Sequence, residues 1–200
     1  MSTSGTQARA AKKRPYRLGR REERLEQTRQ RIVEAAVELH STIGPARTTV
    51  ADIARRAGVQ RHTYYAHFPD ERSLFLACSG LALQRNPLPD VEAWRDVRPG
   101  RERLRRGLGE IYGWYERNAQ QTACVLRDAE QHAPTREIVE IRMRPTFERA
   151  AELLGEGLNE RQRTLVALAL DFSCWRILSG NPAAGDPAEL MSAAVAGLAA

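Results

Sequence analysis

Two hundred residues suffice for one large domain or two small ones with a buried core. With 42% hydrophobic and 28% charged residues, and no charge-free stretch apolar enough to span a membrane over about 20 residues, a transmembrane protein is not expected. The net charge of +6 is unevenly placed: residues 1–70 hold 14 Lys and Arg against 7 Asp and Glu, whereas residues 71–200 hold 17 against 18. This asymmetry suits a basic partner-binding module joined to a nearly neutral one, with nucleic acid as first candidate because Lys and Arg release counterions from phosphates. A solubilising tail fits the charge alone equally well.

The start, MSTSGTQARAAKKRP, has basic residues without an apolar run behind them and does not read as a secretory signal. Residues 1–25 lack hydrophobic periodicity and read as a basic tail, disordered in isolation. Its Lys12, Lys13, Arg14, Arg17, Arg20 and Arg21 suit either a minor-groove arm or plain nonspecific attraction. A helical stripe begins near Gln27 with Ile32, Val33, Ala36, Val37 and Leu39, and stops at Gly44-Pro45. Thr49-Val50-Ala51-Asp52 fits a capping box for a second helix, which Gly58 ends with a positive φ. A third short helix runs from about Arg61 to Phe68, and Asp70 caps a fourth that reaches about Arg85.

Pro87, Pro89, Pro99 and Gly100 mark a loop or broken connection. Helical patterns resume at Arg101–Asn118, Ala119–His132, Thr135–Gly155, Glu160–Ser179 and Asp186–Ala199, and Gly107-x-Gly109 reads as close helix packing. The fold expected is all-α with about nine helices: a small N-terminal bundle over residues 26–86 and a larger C-terminal one over residues 87–200. Three scattered cysteines, Cys78, Cys124 and Cys174, argue against a disulfide framework and suit a reducing cytoplasm. The histidines His40, His62, His67 and His132 show no metal-ligand spacing with them. No nucleophile elbow, phosphate loop or catalytic triad is legible, so no catalytic residue, metal or cofactor is expected.

The informative segment is TVADIARRAGVQRHTYYAHF, residues 49–68: two short helices joined by a tight Ala57-Gly58-Val59 turn. That is a helix-turn-helix layout, in which the second helix enters the major groove and the first crosses the backbone. Arg61 and His62 can reach base edges or phosphates, Thr63 offers a methyl and a hydroxyl, and Tyr65 and His67 can bond phosphate oxygens. The helix start at Thr49 adds backbone N–H donors for a phosphate. Tyr64 and Phe68 fall on the core face of the same helix.

Residues 26–86 resemble the N-terminal domain of tetracycline-repressor (TetR/AcrR) regulators. The resemblance rests on TRQRIVEAAVELH over Thr28–His40, Gly44, Thr48–Val59, the spaced Thr63, Tyr65, His67 and Phe68, and the acid-led fourth helix at Asp70-Glu71. Two departures stand out. His62 replaces a small residue or Pro, and Tyr64 replaces a Leu, Ile or Phe. Where the family often has a phosphate-contacting Lys, this chain has Glu71, with Arg72 beside it as the substitute.

The resemblance implies a small-molecule effector between the C-terminal helices, for which Tyr112, Tyr115, Cys124, Met143, Phe147, Phe172 and Trp175 are the apolar candidates. Each of these also suits a plain core. The last helix carries a stripe of Leu190, Met191, Ala194, Val195 and Leu198 that fits contact within the chain or with a second copy. Family members dimerise through their last two helices, so the resemblance implies a homodimer. The expectation is therefore a cytoplasmic, homodimeric repressor released from an inverted-repeat operator in double-stranded DNA by an unidentified effector. Competing readings are a ligand-free regulator, a nonspecific nucleic-acid binder, and a helical enzyme with an incidental basic N-terminus.

Overall fold

The computed structural model describes residues 13–198, with side chains from Gly19 onward. Among these residues the chain is all-helical: α1 (Lys13–Thr42), α2 (Val50–Ala57), α3 (Arg61–His67), α4 (Glu71–Arg85), α5 (Arg101–Arg117), α6 (Ala119–Ala129), α7 (Ala133–Arg142), α8 (Arg144–Leu154), α9 (Glu160–Ala169), α10 (Phe172–Ser179) and α11 (Pro187–Gly197). Short 3-10 segments lie at Pro45–Arg47, Val91–Asp96 and Pro182–Ala184. No described helix is long and apolar enough to cross a membrane.

Two expectations about helix ends need correction. α1 begins at Lys13, so residues 13–25 are helical instead of a disordered tail, while residues 1–12 of that tail lie outside the described residues. Two long periodic stretches are each two helices. Pro145 sits in the first turn of α8, where its missing N–H interrupts the ladder running on from α7. Farther on, Asp171 caps α10 by accepting from the Ser173 and Cys174 N–H groups, ending α9 at Ala169. The carbonyls freed at that break are taken up from the core: Tyr112 donates to Ala169 O and Tyr115 to Leu170 O, both at 2.7 Å.

Two cores follow from the apolar stripes. In the first layer Ile32, Val33 and Ala36 of α1 meet Ile53, Ala57, Tyr64, Phe68 and Leu74. The second layer gathers α5 with α8 to α11 around Leu104, Leu108, Ile111, Tyr115 and Val195. Trp94, from the proline-rich connection, is fully buried there and donates its indole N–H to Glu110 at 2.7 Å. Full burial of a large apolar side chain is worth about 1.5–3 kcal/mol, so these clusters dominate the folding free energy. Gly107 allows the close approach expected of it: a Cβ there would lie 2.6 Å from Leu154 Cδ2.

The layers are joined where α6 meets the end of α1. Cys124 is buried with its thiol 3.7 Å from Thr42 O, Arg127 donates to Ile43 O at 3.1 Å, and Asp128 accepts the Ala46 N–H at 2.9 Å. Gly44 sits at φ 100°, and a Cβ on it would lie 2.3 Å from Asp128 Oδ2. Gly44→Ala therefore combines left-handed strain with loss of the Asp128 seat. Unfolding in urea should show a loss on the order of 2 kcal/mol; an unchanged midpoint would mean the junction adapts freely.

Candidate nucleic-acid interface and the junction cavity

The predicted two-helix unit is built as the residues require. Thr49 caps α2 by accepting the Asp52 N–H at 3.2 Å, and Asp52 in turn accepts the Thr49 hydroxyl at 2.6 Å and the Thr49 N–H at 3.3 Å. These bonds hold the half-buried Asp52 carboxyl below its ordinary range, with Arg55 beside it adding to the effect. Both donors of Thr49 thus face Asp52, and the N–H groups beyond it head the helix. Gly58, at φ 65°, closes the turn, and the Val59 N–H bonds Ala54 O at 2.9 Å.

α3 is pinned by its inward face. Tyr64 and Phe68 are 2% and 1% exposed, and burial pushes the Tyr64 hydroxyl up to about 12. Arg29 of α1 lies 4.9 Å over the Phe68 ring. The opposite face presents Arg61, His62 and Tyr65 to solvent, with Thr63 and His67 half-buried. Arg61, His62, Thr63 and His67 make no side-chain hydrogen bond or ion pair among the described residues, and Tyr65 makes only a ring contact with Tyr64.

Neighbouring cations are occupied. Arg55 pairs with Asp52, Arg56 donates to Glu38 at 2.8 Å, and Arg85 reaches Glu34 at 3.0 Å. Arg72 belongs with these: its Nε donates to Glu137 on α7 at 2.7 Å, so the structure places it on the link between the layers.

A cavity of about 100 Å³ lies at the junction between the layers. α1 contributes His40, α4 Phe75 and Cys78, α5 Trp114, α6 Thr122, and α7 Ile138 and Arg142, with Met143 just beyond. Of the seven residues expected at a pocket, only Met143 lines it. Tyr112, Tyr115, Phe147, Phe172 and Trp175 instead pack together in the second core, where Tyr115 stacks on Phe147 at 6.0 Å and meets Phe172 edge-on at 5.2 Å. Their hydroxyls and rings are consumed by packing. Cys124 is spent on the α1 junction.

Residues that do line the cavity escaped sequence reading because α1 and α4 supply more than a third of the wall. Their inward stripes look like the first layer's core, and nothing in a single helix's periodicity announces a gap between two layers. His40 sits in that wall, 3.6 Å from Cys78 Sγ and edge-on to Phe75 at 5.0 Å. Burial pushes His40 down to about 4, opposed in part by the Asp128 charge and reinforced by His132. Burial likewise raises the Cys78 thiol to about 12, leaving both groups neutral near pH 7.

A sequence profile for bacterial regulatory proteins of the tetR family matches residues 32–78. The transcriptional regulator TtgR of Pseudomonas putida is 45% identical over 58 residues, which are 29% of this chain and 28% of TtgR. A TetR-like transcriptional regulator from Rhodococcus sp. RHA1 is 25% identical, with a TM-score of 0.56 over 84% of this chain and 93% of that one. Residues 32–78 thus carry the tetR-family signature. Crystal structures of HlyIIR, at 18% identity, share the fold with a TM-score of 0.64 over 86% of this chain and 98% of theirs. The matched segments span under a third of the length of the curated relatives, and the tetR profile falls on the layer that carries α2 and α3.

The buried imidazole gives the chain a measurable acid sensitivity. In the folded state His40 takes its proton only near pH 4, whereas the unfolded chain takes it near 6.5. Stability is therefore intact above pH 6.5 and falls as the pH drops towards 4, by about 3 kcal/mol for this group. Urea midpoints at pH 7 and pH 4.5 should show this drop for the native chain and a smaller one for His40→Gln. Equal drops in the two proteins would assign the acid sensitivity to other groups.

Proposed function

We propose that the protein is a sequence-specific DNA-binding transcriptional regulator, a homodimeric repressor that leaves an inverted-repeat operator when a small effector fills the junction cavity. The observation that carries this reading is the division of labour among polar side chains. Arg55 and Arg56 beside α3 are tied to carboxylates and Arg29 lies over Phe68, while Arg61, His62, Thr63 and His67 stand without partners on a helix anchored from behind. A rigid helix with unspent donors is what major-groove readout requires. In this reading Arg61 and His62 read base edges, Thr63, Tyr65 and His67 fix the helix on phosphates, and Thr49 marks the end of α2 that meets a phosphate. Arg72 acts from the layer link.

One recognition helix is a weak reader, and two about 34–36 Å apart read a palindrome. A second copy is supported by apolar side chains left outside the cores on the last helices: Leu168 on α9 is 55% exposed and Ile177 on α10 is 71% exposed. The α11 stripe is split: Met191 and Val195 are buried against the second core, while Leu190, Ala194 and Leu198 stay exposed. Release works through the cavity wall. α1 and α4 carry the α2–α3 unit, so an effector that binds better when α4 is displaced from α6 and α7 lowers operator affinity. Such a protein acts beside DNA, in the cytoplasm.

Selection of bound duplexes from a random pool should yield an inverted repeat. Against the selected site, Arg61→Ala and His62→Ala should each change base preference by about 1–3 kcal/mol, and Tyr65→Phe and His67→Ala should weaken binding across sequences. Binding that only fades with salt, with no enriched site, would reduce the helix to a nonspecific anchor. For the dimer, Ile177→Asp should shift sedimentation from two copies to one while leaving the circular dichroism unchanged. An unaltered dimer would move the interface away from α10.

A further inference from the structure

Arg142 closes α7 and reaches across the layer boundary. Its Nε donates to Ser79 Oγ at 3.3 Å and a terminal nitrogen donates to Leu76 O at 3.1 Å, both on α4. These acceptors are neutral. Arg144 and Arg149 farther along are matched with carboxylates, Arg144 with Glu140 and Glu148 and Arg149 with Glu92 and Glu152, whereas the exposed Arg136 on α7 bonds the Ala129 and Glu130 carbonyls. Arg142 has no carboxylate within ion-pair distance among the described residues. It is half-buried, and it borders the junction cavity.

The rest of that lining sharpens the point. It contains no Asp, Glu or Lys, and its walls are mostly apolar, with Phe75, Leu83, Trp114 and Ile138 among them. The two titratable neighbours, His40 and Cys78, are both held neutral by burial. Arg142 is therefore the one formal charge lining the cavity among the described residues at neutral pH. A guanidinium partly out of water with only neutral acceptors leaves its charge uncompensated, and its fork geometry matches a carboxylate with two parallel bonds.

We propose that the cavity takes a small organic carboxylate, its apolar body among Phe75, Leu83, Trp114 and Ile138 and its carboxylate on Arg142. Capture of the guanidinium draws it from the Leu76 carbonyl and the Ser79 hydroxyl, and α4 loses its tie to α7. The size is set by the space: about 100 Å³ is less than the cavity of about 150 Å³ that holds benzene, so it suits a short chain as it stands and takes a single ring only as α4 moves away from α7. This inference rests on the cavity being the effector site. It adds the chemical class of the effector and the bond through which it acts.

The test is calorimetry on the full chain without DNA, using benzoate and hexanoate as acids and benzamide as the uncharged counterpart of benzoate. At least one acid should bind, benzamide should bind at least about tenfold more weakly than benzoate, and Arg142→Gln should lose at least about tenfold while Arg142→Lys keeps part of the affinity. Ile138→Trp, which fills the cavity, should abolish binding. Should Arg142→Gln fail to fold, the benzoate and benzamide pair and Arg142→Lys still decide the matter.

The charge assignment is overturned if benzamide matches benzoate, if Arg142→Gln binds as the native chain does, or if neither acid binds at millimolar concentration. With the selected duplex added, the binding acid should weaken DNA affinity in the native chain and leave Arg142→Gln unaffected. Acid binding with DNA affinity unchanged would overturn the α4 coupling. Failure of the duplex selection is read separately, because the calorimetry contains no DNA.

Discussion

Asp128 touches the first layer at a backbone N–H. By accepting from Ala46 it supplies the partner that a 3-10 turn start lacks, and it can do so only because Gly44 leaves the space and takes a φ closed to other residues. Arg127 beside it holds the neighbouring Ile43 carbonyl. The turn after α1 is thus fastened to α6 by side-chain bonds to its main chain, which tolerate little displacement before they break. Every feature farther out inherits this constraint: the direction of α1, the seat of α2 and α3 upon it, and the width of the cavity between α4 and α7.

Around that junction the protein uses two kinds of polar side chain differently. Several at the layer boundary and on exposed helix flanks are paired locally, as with Arg72 and Glu137 or Arg56 and Glu38. Such surface pairs contribute little each, generally under about 1 kcal/mol, but they use up the charge they contain. Arg61 on the outer face of α3 and Arg142 at the cavity are left without carboxylates, and each faces a place where something outside the chain can fit. Both are positioned by neighbours that have no part in recognition: Tyr64 and Phe68 under α3, Leu76 and Ser79 against Arg142.

The first layer was legible because its signals are local. A capping box, a Gly at positive φ and aromatic residues at helical spacing identify α2, α3 and their inner face within twenty residues. The second layer was legible only as helical. Its long stretches between Thr135 and Ser179 keep a helical period through two breaks, because Met143 and Leu170 hold near-helical backbone on either side of them. Large apolar residues there suggest a pocket as readily as a core. What separates the two is whether neighbours fill the space, and Tyr115 is surrounded by five aromatic partners that come from α8 and α10 as well as its own helix. The actual cavity depends on how two layers meet, a property no single segment encodes.

A cavity with walls from both layers also limits how its preference can drift. Phe75, Cys78 and His40 shape the space while packing the layer that holds the recognition helix, so a substitution at any of them disturbs two jobs at once. Trp114 and Met143 pack against the second core on the other side, with Ile138 of α7 beside the space, and of these only Trp114 reaches back, donating to the Asn86 carbonyl at the end of α4. Mutational freedom is therefore lopsided. A lineage acquiring a new signal molecule has open ground on α5 and α7, while the α1 and α4 wall is held nearly constant by the demands of the DNA-facing half.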